Sequence, residues 1–159
     1  MASINPLELM NMSKIPIIAV NQKYERFKLN KIILPIRNVQ NWFHKIPFAA
    51  SLANLSGAKI FIIGLQNDFC KNSNAKLEEK ILLCKNYLSK YDLNFEVEKF
   101  NVKKNMLLNV LDLAKHKKAD LIVVSPPLKY NKLKSYFDNY LYSRLISKGT
   151  TPVMGITLT

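Results

Sequence analysis

From Lys31 onward, short apolar runs alternate with longer stretches whose apolar residues recur at helical spacing. This is the pattern of a parallel sheet with covering helices. Lys31 to Ile36 (KIILPI), Lys59 to Leu65 (KIFIIGL) and Leu121 to Val124 (LIVV) are nearly continuous in apolar residues, as strands buried on both faces are. They are assigned to the middle of the sheet. Leu93 to Glu98 (LNFEVE) instead alternates Leu93, Phe95 and Val97 with Asn94, Glu96 and Glu98, so one of its faces meets water. It is assigned to an edge. A last apolar run, Pro152 to Leu158, closes the chain.

Between the strands, Leu77, Ile81, Cys84 and Leu88 fall on one helical stripe. Cys84 thereby reads as core filler. Met106, Leu107, Val110, Leu111 and Ala114 make a second stripe, and the aromatic-rich set Leu133, Tyr136, Phe137, Tyr140, Leu141 and Leu145 a third. Val39 to Ser56 holds a further helix, expected to begin near Ile46 with Pro47 in its first turn and to end at Gly57. Right-handed crossovers, an edge-type third strand and buried first, second and fourth strands then select the order 3-2-1-4-5, counted from Lys31. The expected fold is an open five-stranded parallel α/β sheet with helices on both faces.

The first thirty residues stand outside this unit. Ile15 to Val20 (IPIIAV) is strand-like, and Ser13 to Val20 parallels Thr150 to Ile156: each has a polar lead-in, a proline and an apolar strand. The organisation expected is an extension over residues 1–30 with one strand, and a domain over 31–159. The extra strand is expected to pair antiparallel with the last one, since an uncovered edge carrying Val153, Met154 and Ile156 would expose apolar surface and free backbone groups. Ile15, Ile17 and Val20 are the matching residues. Pairing within one chain and exchange between two chains both stay open, because residues 21–30 can span ~33 Å.

Composition changes this picture little. A chain of 159 residues with 48% hydrophobic content suits one domain. No run reaches the ~20 apolar residues of a membrane span, and the polar start lacks the features of a secretion signal. A cytoplasmic location is expected. Two cysteines, Cys70 and Cys84, outside any ligand-spaced cluster suggest neither a disulfide framework nor a metal site. The formal charge of +13 attracts anions in general. Its lysines are scattered, without an RNA-binding aromatic pattern or a helix-turn-helix spacing, so nucleic acid is not the expected partner.

The strand with its proline (IILPI), the helix ending Ala49-Ala50-Ser51-Leu52-Ala53 before Ser56-Gly57-Ala58, the Ala119-Asp120-Leu121-Ile122-Val123-Val124 strand and the final Thr151-Pro152-Val153 occur in the order found in universal stress proteins. Over residues 31–157 the chain resembles that family. The resemblance implies an adenine nucleotide alpha hydrolase-like fold, a role in stress response, and a homodimer or pseudo-dimer through the last strand. ATP-binding members carry an Asp after the first strand and a G-x2-G-x9-G-[ST] loop after the fourth. Here Arg37 stands at the Asp position, and Ser125, Leu128, Asp138 and Asn139 stand at the loop positions. Without glycines the backbone cannot approach phosphates closely, and Pro126 and Pro127 remove two amide donors.

The remaining chemistry is sparse. His44, His116, Cys70, Asp68 and Asp120 form no recognisable catalytic constellation. His44 beside Trp42 and Phe43 reads as a cap or solvated group, His116 as part of a basic helix end, and Asp120, at the wrong end of its strand for a ligand, as structural. The expectation is a binding or regulatory module with a degenerate nucleotide loop, no enzymatic activity and no cofactor. A protein partner is one expected ligand. Two alternatives stand beside it: a small anion or non-ATP nucleotide held by Arg37, Ser125, Lys129 and Lys132, and charge-driven, nonspecific nucleic-acid association.

Overall fold

Six strands form one sheet in the order β1-β6-β5-β2-β3-β4 in a computed structural model, which describes residues 6–20, 28–38, 42–66, 71–101, 106–126 and 142–156. The elements are α1 (Pro6–Met12), β1 (Ile17–Ala19), β2 (Lys31–Ile36), α2 (Lys45–Ser56), β3 (Lys59–Gln66), α3 (Lys71–Ser89), β4 (Phe95–Asn101), α4 (Met106–Lys117), β5 (Leu121–Val124) and β6 (Val153–Gly155). Residues 142–148, ahead of β6, are helical. From β4 through β6 every pairing is parallel. The order 3-2-1-4-5 therefore holds, and β1 is added antiparallel to β6, with Ile17 opposite Gly155, Ile18 opposite Met154 and Ala19 opposite Val153.

The apolar runs divide by parity between two layers, because successive strand residues point to opposite faces. Ile32, Leu34, Ile36, Ile60, Ile62, Leu121 and Val123 pack under α2 and α3, where Ile46, Ala49, Ala53, Leu77, Ile81, Cys84 and Leu88 are buried. Ile33, Phe61, Ile63, Leu65, Ile122, Val124 and Val153 face Val110 and Ala114 of α4 and Leu145. Burial pushes the Cys84 thiol up to about 12, so it stays protonated and inert. Leu133, Tyr136, Phe137, Tyr140 and Leu141 lie outside the described residues, as do the side chains of Met106 and Leu107.

Helix α2 starts one residue before Ile46, with Pro47 in its first turn, where the missing amide N–H has no intrahelical partner to lose. It stops at Gly57, whose φ of 72° lets its N–H bond the Ala53 carbonyl. Strand β4 begins at Phe95, two residues later than the alternation predicts. The turn after α3 takes Leu93 first: its N–H reaches back to the Leu88 carbonyl, after Asp92 adopts a positive φ of 51°. Half-buried Glu98 is held by an ion pair with Lys117.

At the opposite end of the sheet Asp120 ties two strands together. One carboxylate oxygen accepts the N–H groups of Asn30 and Lys31 at 2.8 and 2.9 Å, and the Asp120 N–H donates to the Lys31 carbonyl at 2.9 Å. Helix α1 has no counterpart in the sequence pattern. Seven residues with only Leu7 and Met10 buried make too short a stripe to stand out. A Cβ added to Gly155 would lie 2.7 Å from the Met10 Cγ, so the glycine in β6 is what lets α1 lie down on the sheet.

Candidate functional site

The ladder between β2 and β5 ends early. Its register runs only from Ile32 opposite Leu121 to Ile33 opposite Ile122, whereas β2 stays paired with β3 up to Ile36 opposite Gly64. The cause is local. The Lys59 N–H bonds the Asn30 carbonyl and the Asp120 N–H bonds that of Lys31, so odd-numbered backbone groups of β2 face β5. Pro35 is the next odd position after Ile33, and it has no N–H to offer. Its carbonyl is taken by the ammonium of Lys45, from the first turn of α2. The two central strands thus part at their C-terminal ends, at the point where chain order reverses, which is where open α/β sheets place ligands.

Lys45 is 4% exposed. Burial, followed by repulsion from Arg37, pulls its ammonium from 10.5 down to about 7, with the Cys84 side opposing the shift. Arg37 follows β2 and is half-buried. Ser125 follows β5 and is 6% exposed; its hydroxyl has no hydrogen-bond partner among the described residues, while its carbonyl accepts from the Tyr142 hydroxyl at 3.1 Å. The buried His44 Nδ1 likewise has no partner among the described residues. His44 is the residue before α2 but makes no side-chain cap, which corrects the reading of it as a capping histidine; it is half-buried, and the rings of Trp42 and Phe43, the residues before it, meet edge to face at 5.4 Å. Buried polar atoms without partners are rare and costly. Two of them, Ser125 Oγ and His44 Nδ1, belong to residues at the end of β5 and just before α2.

Around this edge Asn38 Nδ2 donates to Ser73 Oγ at 3.3 Å, and Lys80 Nζ donates to Asn38 Oδ1 at 2.9 Å while lying 5.6 Å from the Trp42 ring centre. Arg37 and Ser125 thus share the C-terminal edge expected of them. Lys129 and Lys132 lie outside the described residues, as do Cys70 and Asp68. His116 is exposed in the basic last turn of α4, and Asp120 sits at the other end of the sheet. Lys45 escaped the sequence pattern. Its only signal is a lysine set, with His44, among the apolar residues Trp42, Phe43 and Ile46. Among the described residues no group of three or more His, Cys, Asp or Glu side chains could hold a metal, and no helix is long and apolar enough to cross a membrane.

An open, mostly parallel sheet, helices on both faces and two central strands whose pairing ends early at the point where chain order reverses define a doubly wound α/β domain. The fold is, more narrowly, that of the universal stress proteins. A universal stress protein solved in complex with cAMP superposes with a TM-score of 0.64 and 13% identity, over 83% of this chain and 99% of that one. One from Archaeoglobus fulgidus in complex with dAMP gives 0.58 and 15%, over 84% and 100%. A longer one from Archaeoglobus fulgidus DSM 4304 gives 0.67 and 12% over 96% of this chain, which spans 53% of its length. No known family's sequence pattern matches the chain, and neither does any curated protein.

Proposed function

We propose that this chain is a universal stress protein-like binding or regulatory module in stress response, without catalysis and without the usual grip on ATP. The observation that carries the reading is the end of β5. There a buried serine with an unmatched hydroxyl is followed by buried Pro126, so the loop opens on a residue with no amide N–H at the point where a phosphate cradle needs one. Arg37 in place of an acidic residue at the end of β2 argues the same way. Calorimetric titration with ATP should show no binding in the micromolar range, and incubation with ATP no turnover. Micromolar affinity, or hydrolysis abolished by a change at Ser125, would reject the proposal.

A second reading is favoured by the cations. Arg37 and Lys45 stand at one strand end with the unpartnered Ser125 hydroxyl at the next, which suits a small anion or a non-ATP nucleotide better than a neutral ligand. Titration with phosphate, AMP and a short oligonucleotide over a range of salt separates the cases. Nonspecific nucleic-acid association would appear only with the oligonucleotide and would fade steeply with salt.

A further inference from the structure

The buried stripe of α3, Leu77, Ile81, Cys84 and Leu88, has a neighbour displaced by one residue towards the helix start: Lys76, Lys80, Leu83 and Tyr87. Equal spacing puts these four on one flank of the helix, and Lys90 and Tyr91 follow just past its end. The chain ahead of α2 lies against this flank. Phe43 meets the Tyr87 ring at 5.6 Å and 88°, Trp42 meets Phe43 at 5.4 Å and 82°, and Tyr87 meets Tyr91 at 5.2 Å and 52°. Rings from two distant segments thus touch in a row, with the Lys80 ammonium 5.6 Å from the Trp42 ring centre at one end.

The row is braced from beneath and open above. Trp42 and Tyr87 pack against the core under α2 and α3, while Phe43 and Tyr91 are 37% and 55% exposed and Leu83, one turn before Tyr87, is 47% exposed. Single exposed apolar residues are ordinary, whereas a contiguous row is not. The Tyr87 and Tyr91 side chains share a hydrogen bond, which sets polar atoms within the row. Lys76 and Lys90 are exposed and Lys80 is half-buried. Glu79 and Asp92 adjoin these lysines, so the row is mildly basic by itself, and the formal +13 of the chain adds attraction for anions at longer range.

We infer that the row Trp42, Phe43, Tyr87 and Tyr91, edged by lysines, is a platform for single-stranded nucleic acid. Unpaired bases offer flat faces that stack on aromatic rings, and their phosphates suit the ammonium groups alongside. Rings already held by the core lose little freedom on binding. An anionic membrane fits less well. Rings locked against one another project little beyond the surface, and the hydrogen-bonded tyrosine hydroxyls would be carried towards the apolar layer. No short motif marks the platform, because folding assembles it from the segment before α2 and one flank of α3. The inference is independent of what the strand ends bind.

Fluorescence anisotropy of the full chain with a labelled oligothymidylate of about ten nucleotides tests it. The expected result is saturable, salt-dependent binding, at least about tenfold weaker for a blunt, GC-rich duplex whose bases are stacked inside. Phe43→Leu and Tyr91→Leu keep apolar bulk but remove a ring, and each should weaken binding at least about fivefold. Lys76→Gln with Lys90→Gln should flatten the slope of log affinity against log salt by about 1.4. Lys115→Gln with Lys118→Gln removes the same charge from the end of α4 and should leave affinity within about twofold. Circular dichroism should show each variant folded, and Tyr91, beyond the end of α3, is the change least able to disturb the core. Equal affinity for the duplex, or binding indifferent to both leucine substitutions, would mean attraction by charge alone and overturn the inference. So would the absence of binding at ~10 mM salt, whether or not phosphatidylserine vesicles then bind instead. Phosphate titration of the same variants reads the strand-end site separately.

Discussion

Lys45 shows how much one side chain's surroundings decide. A lysine is normally charged to above pH 10, but here burial and Arg37 together bring its ammonium to about 7. From about pH 7 to about 10.5 the unfolded chain keeps a proton that the folded chain has released, so stability rises with pH over that window. Below about pH 7 both states hold the proton and the contribution is flat, at its least favourable. Lys45→Met should therefore stabilise the protein at pH 6 by about 1 to 4 kcal/mol, as replacing buried charge by apolar volume does, and flatten the rise towards pH 10. Urea midpoints at pH 6 and pH 9.5 for both proteins check this. A variant less stable at both pH values would mean that the bond to the Pro35 carbonyl outweighs the cost of burying the charge.

Among the elements, α3 provides the cleanest contrast between a pattern and its consequence. Leu88 is fully buried within the stripe Leu77, Ile81, Cys84 and Leu88, while Leu82 on the same helix is 54% exposed. Leu88→Ala should cost about 2 to 5 kcal/mol, and Leu82→Ala should stay within about 0.5 kcal/mol; equilibrium unfolding of the two variants decides it. This stripe was legible because 19 residues of helix repeat the apolar spacing often enough to identify one face. The strand runs were legible for the converse reason, since strands covered on both faces admit no polar residue. Two things were not legible. Helix α1 is too short to show a period, and the start of β4 is displaced because Leu93 serves the turn after α3 before it can serve the strand. At the site, Arg37 and Ser125 could be placed from the ends of their strands. Lys45 could not, because its burial depends on where α2 begins and on a carbonyl ten residues earlier.

For the molecule as a whole, the first twenty residues are the test of assembly. Leu7 and Met10 are 4% and 1% exposed, and at about 1.5 to 3 kcal/mol for each fully buried side chain their loss should remove roughly 3 to 6 kcal/mol of stability. Deleting residues 1–20 also frees the edge of β6. The expected outcome is a lower urea midpoint together with self-association through β6, followed by light scattering; an equally stable, monomeric variant would show α1 and β1 to be dispensable. The order of the parallel strands, the partition of their side chains between two layers and the repeat of the last strand near the start were all determined by the sequence alone, because each is written in a periodicity of apolar residues or in the handedness of crossovers. The parting of β2 from β5, the burial of Lys45 against the Pro35 carbonyl and the exposure of Leu9, Ile18 and Val20 were decided only by the tertiary structure. Each depends on which backbone group or strand stands next to a residue in space, and the spacing of residues along the chain does not record that.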